Sequence, residues 1–237
     1  MSKLKFMGAN GNVVSEDRLT ELRRLRAEYK YAWDVGQSLE DMATETCECY
    51  KKLWDKKIAV LSMPGSGYSE ISARVAASAD IPVCDWDFFE EEVMTANLVR
   101  EEGESVKNAF KRLKADRYKE VQKEAWGNQV EKAVRGEAYP HINGGKLASN
   151  EELMKKMRDN GWKFLGVSVK REDYPEHAKT MIPISSTWAD HADDIVEFAN
   201  MQYDKRFEAL MAAADLVVER EAGESISNYI KKVAEQL

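Results

Sequence analysis

Apolar residues recur every three to four positions through Leu19, Leu22, Leu25 and Tyr29, which predicts a helix over about 16–34 capped by Ser15. Gly36 interrupts the pattern. Ser38 with Asp41 has the form of a capping box, and Leu39, Met42, Cys49, Tyr50, Leu53 and Trp54 continue a second helical face. Residues 1–14, rich in glycine and asparagine, read as an irregular start. From Lys57 the texture changes to short apolar runs: Ile58–Leu61, Ile81–Cys84, Tyr139–Asn143, Trp162–Val169 and Leu216–Val218. Between them lie helix-compatible stretches at 70–79, at 88–136 in pieces broken near Gly103 and Gly127, from the Ser149/Glu152 capping box to Asn160-Gly161, at 188–213 behind Thr187 and Asp190, and at 224–236. Residues 170–187 read as a loop. Alternating strands and helices predict an α/β fold in three layers, a parallel five-stranded sheet covered on both faces, joined by right-handed crossovers. The expected division is a helical extension over 1–56 and a main domain over 57–237.

Composition narrows the class. The 237 residues are 43% hydrophobic and 32% charged, with a net charge of −7. That balance excludes a disordered acidic chain and a membrane protein, and it argues against nucleic-acid binding over the whole surface. The start of the chain lacks the apolar stretch of a secretion signal, so a reducing cytoplasm is expected. Three cysteines, two of them in the C-x-C of Cys47 and Cys49, suggest neither a disulfide framework nor zinc.

Ligands of parallel sheets bind beyond the carboxyl ends of the strands. Here that rule selects Ser62–Ser69, Asp85–Asp87, Asn143–Lys146, Lys170–Lys179 and Glu219–Gly223. The first follows a strand and opens a helix, as in the phosphate loop G-x-x-x-x-G-K-[ST]. Gly67 and Ser69 occupy the second Gly and the Ser/Thr; Ser62 replaces the first Gly and Tyr68 replaces the Lys. Gly65 and Gly67 allow backbone amides to turn toward an anion at the positive end of a helix. An ordinary glycine-rich turn is the other reading.

The run from Ile58 through Gly65-Ser66-Gly67-Tyr68-Ser69-Glu70-Ile71 to Ala76, followed by Ile81-Pro82-Val83-Cys84-Asp85, resembles the P-loop nucleoside monophosphate kinases, most closely the cytidylate-kinase-like branch. His141-Ile142-Asn143-Gly144-Gly145-Lys146 with Asn150-Glu151-Glu152-Leu153 is similar to phage deoxynucleoside monophosphate kinases. The resemblance covers about 57–237 and implies the P-loop NTPase fold, with phosphate passing from ATP to a nucleoside or deoxynucleoside monophosphate with Mg²⁺. Gly65, Ser66, Gly67, Tyr68 and Ser69 would cradle phosphates, and Ser69 would hold the metal. Asp85 would position the acceptor or metal, while Lys146 and Arg171 would neutralise the transferred charge. The alternatives are a kinase-derived binding or interaction protein without turnover, and a kinase acting on a modified base in DNA.

Other residues admit two readings. Lys170, Arg171 and Lys179 lie where the family's lid would sit, or on a charged surface loop. Lys107, Lys111, Lys114 and Tyr118 share one helical face, with Arg112, Arg117, Lys119 and Lys123 nearby; this 107–123 helix is either a nucleic-acid contact or a solvated face laced with ion pairs. Arg74 reads as a surface ion pair, His141 as a satisfied core residue, His177 as a loop residue beside the lid, and Trp86 as packing or a base-stacking surface. No membrane contact is expected. A homodimer through the N-terminal helices is one possible assembly.

Overall fold

The computed structural model describes residues 4–29, 35–43, 45–85, 92–93, 96–141, 147–148, 150–183 and 186–237. Strands β1 (Ile58–Ser62), β4 (Lys163–Ser168) and β5 (Leu216–Glu219) form a parallel sheet in the order β1-β4-β5, with Ile58 opposite Lys163 and Leu165 opposite Leu216. Strands β2 (Val83–Asp85) and β3 (Tyr139–His141) form a separate parallel pair in which Asp85 lies opposite His141.

The expected single five-stranded sheet is therefore divided, and Pro140 supplies a physical reason. The Tyr139 amide donates to the Pro82 carbonyl at 2.8 Å, on the β2 side. Successive residues of a strand alternate sides, so position 140 turns the other way, toward β1, and proline has no N–H to give there. A side chain bridges the seam instead: the Tyr139 hydroxyl donates to the Ile58 carbonyl at 2.7 Å. Burial of this phenol pushes its pKa up, so it stays a donor.

The far edge of β2 is covered by the N-terminus, which is not irregular throughout. Val83 donates to the Lys5 carbonyl at 2.8 Å and Met7 to the Val83 carbonyl at 3.0 Å, and Phe6 bridges Val83 in parallel. Leu4, Phe6 and Met7 are buried. Helix α1 (Glu16–Tyr29) begins after Ser15, whose hydroxyl accepts from Arg18 N at 3.2 Å. The second predicted helix is two: α2 (Val35–Met42), within which Ser38 falls, and α3 (Glu48–Asp55). Both pack on α4 (Tyr68–Ala79), the helix that follows β1.

Helix α5 (Val106–Val134) runs through Gly127 without a break, whereas Gly103 sits in the turn before it at φ +76°. Ser105 caps it by accepting from Asn108 N. Helix α6 (Glu151–Asp159) is capped by Asn150, which accepts from Leu153 N at 3.1 Å; Ser149, the expected cap, lies outside the described residues. The predicted 170–187 loop contains α7 (Tyr174–Lys179), with Pro175 in its first turn, and the start of α8 (Ser186–Ala189). The chain closes with α9 (Ile195–Ala212) and α10 (Ile226–Ala234), capped by Ser225.

All five residues of β1 are buried, as a strand covered on both faces requires. Trp162 joins the layers: it is 2% exposed, meets Trp54 and Tyr139 edge-on at 5.9 and 6.1 Å between ring centres, and donates from its indole to the Ala133 carbonyl at 3.2 Å. Arg74 is not a simple surface pair. Its guanidinium reaches the Met42 carbonyl, Glu45, Glu70, the Tyr50 hydroxyl and Ser227, tying α4 to the helices around it.

Cys47, at the N-cap position of α3, and Cys49, in its first turn, are joined in a disulfide, a departure from the expected reducing cytoplasm. The third, Cys84, is buried in β2, and that burial pushes its thiol pKa up. Native protein is therefore expected to give no reaction with a thiol-titrating disulfide reagent, and two reactive thiols after mild reduction. Titration with and without reductant checks this; a reactive thiol in the untreated native chain would contradict the pairing.

Candidate functional site

β1 delivers the chain at Ser62 into the turn Met63–Gly67, and α4 begins at Tyr68. Gly65 and Gly67 hold φ +80° and +103°, which L side chains resist. Both also lack room for a side chain. A Cβ on Gly65 would run into the His177 carbonyl of α7, and one on Gly67 into Ile226 of α10. The glycines thus let the elements after β4 and β5 close directly over the turn.

Between the glycines Ser66 is completely buried, and its hydroxyl has no hydrogen-bond partner. Arg220, the residue after β5, donates from Nη1 to the Ser66 carbonyl at 3.3 Å and is anchored by two bonds to the Glu224 carbonyl at 2.8 and 3.0 Å. Burial pulls this guanidinium below its usual range, against Glu70 and Glu224. Burial, aided by Arg220, also lowers His177, so that imidazole is neutral at pH 7. A guanidinium thus stands beside the turn that lacks the usual lysine.

The other side of the turn meets the ends of β2 and β3. His141 Nε2 lies 3.0 Å from the Ser69 hydroxyl, and its Nδ1 is hydrogen-bonded to the Asp85 carboxylate. Asp85 is 0% and His141 4% exposed. Parallel register sets the pair opposite one another, and Tyr68 stacks on the imidazole at 4.6 Å and 12°. Gln129 of α5 donates its amide to the carbonyls of Cys84 and His141, fixing both strand ends.

Of the residues singled out in the sequence, Gly65, Ser66, Gly67, Tyr68, Ser69 and Asp85 therefore meet in one place. Arg171 is not brought there; it makes a bidentate ion pair with Asp204 at 2.8 Å on the surface. Lys146, Trp86 and Asp87 lie outside the described residues. On the 107–123 helix, Arg112 and Arg117 are taken up by Glu104 and Glu120, which reduces the charge that face offers a polyanion. His141 is the satisfied core residue expected, buried and bonded at both ring nitrogens, and Arg220 falls in the selected Glu219–Gly223 segment, but neither was singled out as a site residue. The signal for both was position, at the carboxyl end of a strand.

Ser69 and Asp85 do not fit the Mg²⁺ site that the resemblance implies. The imidazole of His141 bonds both, occupying the place of a cation shared by that hydroxyl and carboxylate. Among the described residues no group of three or more His, Cys, Asp or Glu is arranged to hold a metal ion, and no helix is long and apolar enough to cross a membrane. Compared with models of known families and with curated proteins, the chain matches none.

Proposed function

We propose that the chain is a nucleotide phosphotransferase that binds ATP, with Mg²⁺ arriving as part of the nucleotide, and passes phosphate to a nucleoside or deoxynucleoside monophosphate. The observation that carries this reading is Ser66: a fully buried hydroxyl without a partner, between two left-handed glycines, at the N-terminus of a helix. Buried polar groups are seldom left unsatisfied, and helix N-termini favour anions. Arg220 supports the same reading as the cation in reach of the turn. Phosphoryl transfer is served mainly by positioning and charge neutralisation, which this arrangement offers.

The test is calorimetric titration with ATP and Mg²⁺ on wild type and Arg220→Ala. One charge-assisted contact contributes about 1.5–3 kcal/mol, so affinity is expected to fall roughly 10- to 100-fold in the variant. No nucleotide binding by folded wild type would sink the reading. Tyr68 in place of the lysine, its ring engaged with His141, favours a second one: nucleotide binding without turnover. Release of ADP on mixing with monophosphates separates the two.

A further inference from the structure

Ser69, His141 and Asp85 make a chain that phosphate binding does not require. Its order is hydroxyl, imidazole, buried carboxylate: Ser69 Oγ to His141 Nε2 at 3.0 Å, then His141 Nδ1 to Asp85. A buried carboxylate accepting from Nδ1–H selects the tautomer whose Nε2 carries a lone pair, and that lone pair faces the serine hydroxyl. Such a constellation is recognised by geometry and role rather than by order in the chain. Tyr68, stacked flat on the imidazole, restrains the ring in this orientation. The register of β2 with β3 and the Gln129 clamp hold the carboxylate and the ring from behind. Ser69 itself is only partly buried. It is the second residue of α4, where backbone amides face a developing negative charge.

We propose that Ser69 is a covalent nucleophile toward phosphorus, with His141 as its general base and Asp85 as the positioning residue behind that base. The choice of a phosphoryl donor as substrate class rests on the nucleotide reading of the neighbouring turn; the activated serine does not. In the step, a bond forms from Ser69 Oγ to the terminal phosphorus of the donor. The bond from that phosphorus to the leaving oxygen breaks, and the leaving group departs with the electron pair. The serine proton passes to His141 Nε2. An acceptor phosphate oxygen then attacks the phosphoserine, and His141 returns the proton to the departing serine oxygen. Ser69, read from sequence as a metal ligand, becomes a transient carrier of the group.

The experiment treats the full chain with a fluorophosphonate probe, whose phosphorus loses fluoride to an activated serine, and locates the adduct by peptide mass spectrometry. An adduct on Ser69 is expected, absent in Ser69→Ala and formed about 100-fold more slowly in His141→Gln, the usual scale of general-base help. Circular dichroism establishes that the histidine variant is folded. No adduct on wild type, an adduct only at another residue, or an unchanged rate in folded His141→Gln would each overturn the proposal. Titration of the same wild-type sample with ATP keeps the two readings apart. ATP binding without an adduct removes the nucleophile alone, and an adduct without ATP binding removes the nucleotide reading alone.

Discussion

Trp162→Ala is expected to lower the unfolding free energy by about 3–5 kcal/mol, the usual range for emptying a buried aromatic site. The size follows from where the indole sits. It is 2% exposed, precedes β4, and touches Trp54 near the end of α3 and Tyr139 of β3. Its removal therefore opens a cavity at the junction of several elements, where no single one can move to fill it. The Ala133 carbonyl also loses the indole as a donor and keeps the Gly136 amide. For a chain of this size about 1 kcal/mol corresponds to roughly 2–4 °C, so the melting temperature should fall by roughly 6–20 °C. Trp162→Phe retains the ring contacts and loses mainly the hydrogen bond and some volume, so a smaller fall is expected. Equal falls in thermal melts of the two variants would show that the packing contribution is misjudged.

Gly65→Ala combines two costs that a second glycine can separate. At φ +80° any L residue is strained by about 1–2 kcal/mol. The new methyl would also collide with the His177 backbone carbonyl, and a backbone group cannot rotate aside as a side chain can. Overpacking of this kind adds about 1–3 kcal/mol, for a sum of about 2–5 kcal/mol. Gly136 has φ +71° but open space where a Cβ would sit, so Gly136→Ala carries the conformational cost alone. Denaturant unfolding of both variants should place Gly65→Ala lower by the collision cost. Similar stabilities would mean that α7 does not press on the turn.

The local parts of this architecture were readable because they obey short-range rules. β1, β4 and β5 fall on their apolar runs, and the turn with Gly65, Gly67 and Ser69 was legible from its position between strand and helix. Position 127 misled because glycine in a helix costs only about 1 kcal/mol, which the 29 residues of α5 absorb. α7 was hidden in the polar 170–187 stretch, read as a loop; Pro175 stands in its first turn, where proline is accommodated. The division of the sheet turns on one missing amide at Pro140 and on which side that residue faces, which depends on the partner strand. The site was half legible for a similar reason. Ser69 and His141 are 72 positions apart, and Ser66 and Arg220 are 154 apart, so only the assembled topology brings them together.

The seam beside Pro140 also sets which parts of the site can come apart. Ser69 belongs to the helix that follows β1, whereas His141 and Asp85 belong to the two-stranded pair. A tyrosine hydroxyl and buried side chains join the two bodies where a backbone ladder would otherwise run. Sub-global opening follows such boundaries, so the smaller pair is a candidate foldon of its own. Its excursions would detach the imidazole from the serine while the glycine turn, on the other body, kept its shape. The proposed anion recognition and the proposed hydroxyl activation would then be separable, each with its own opening free energy.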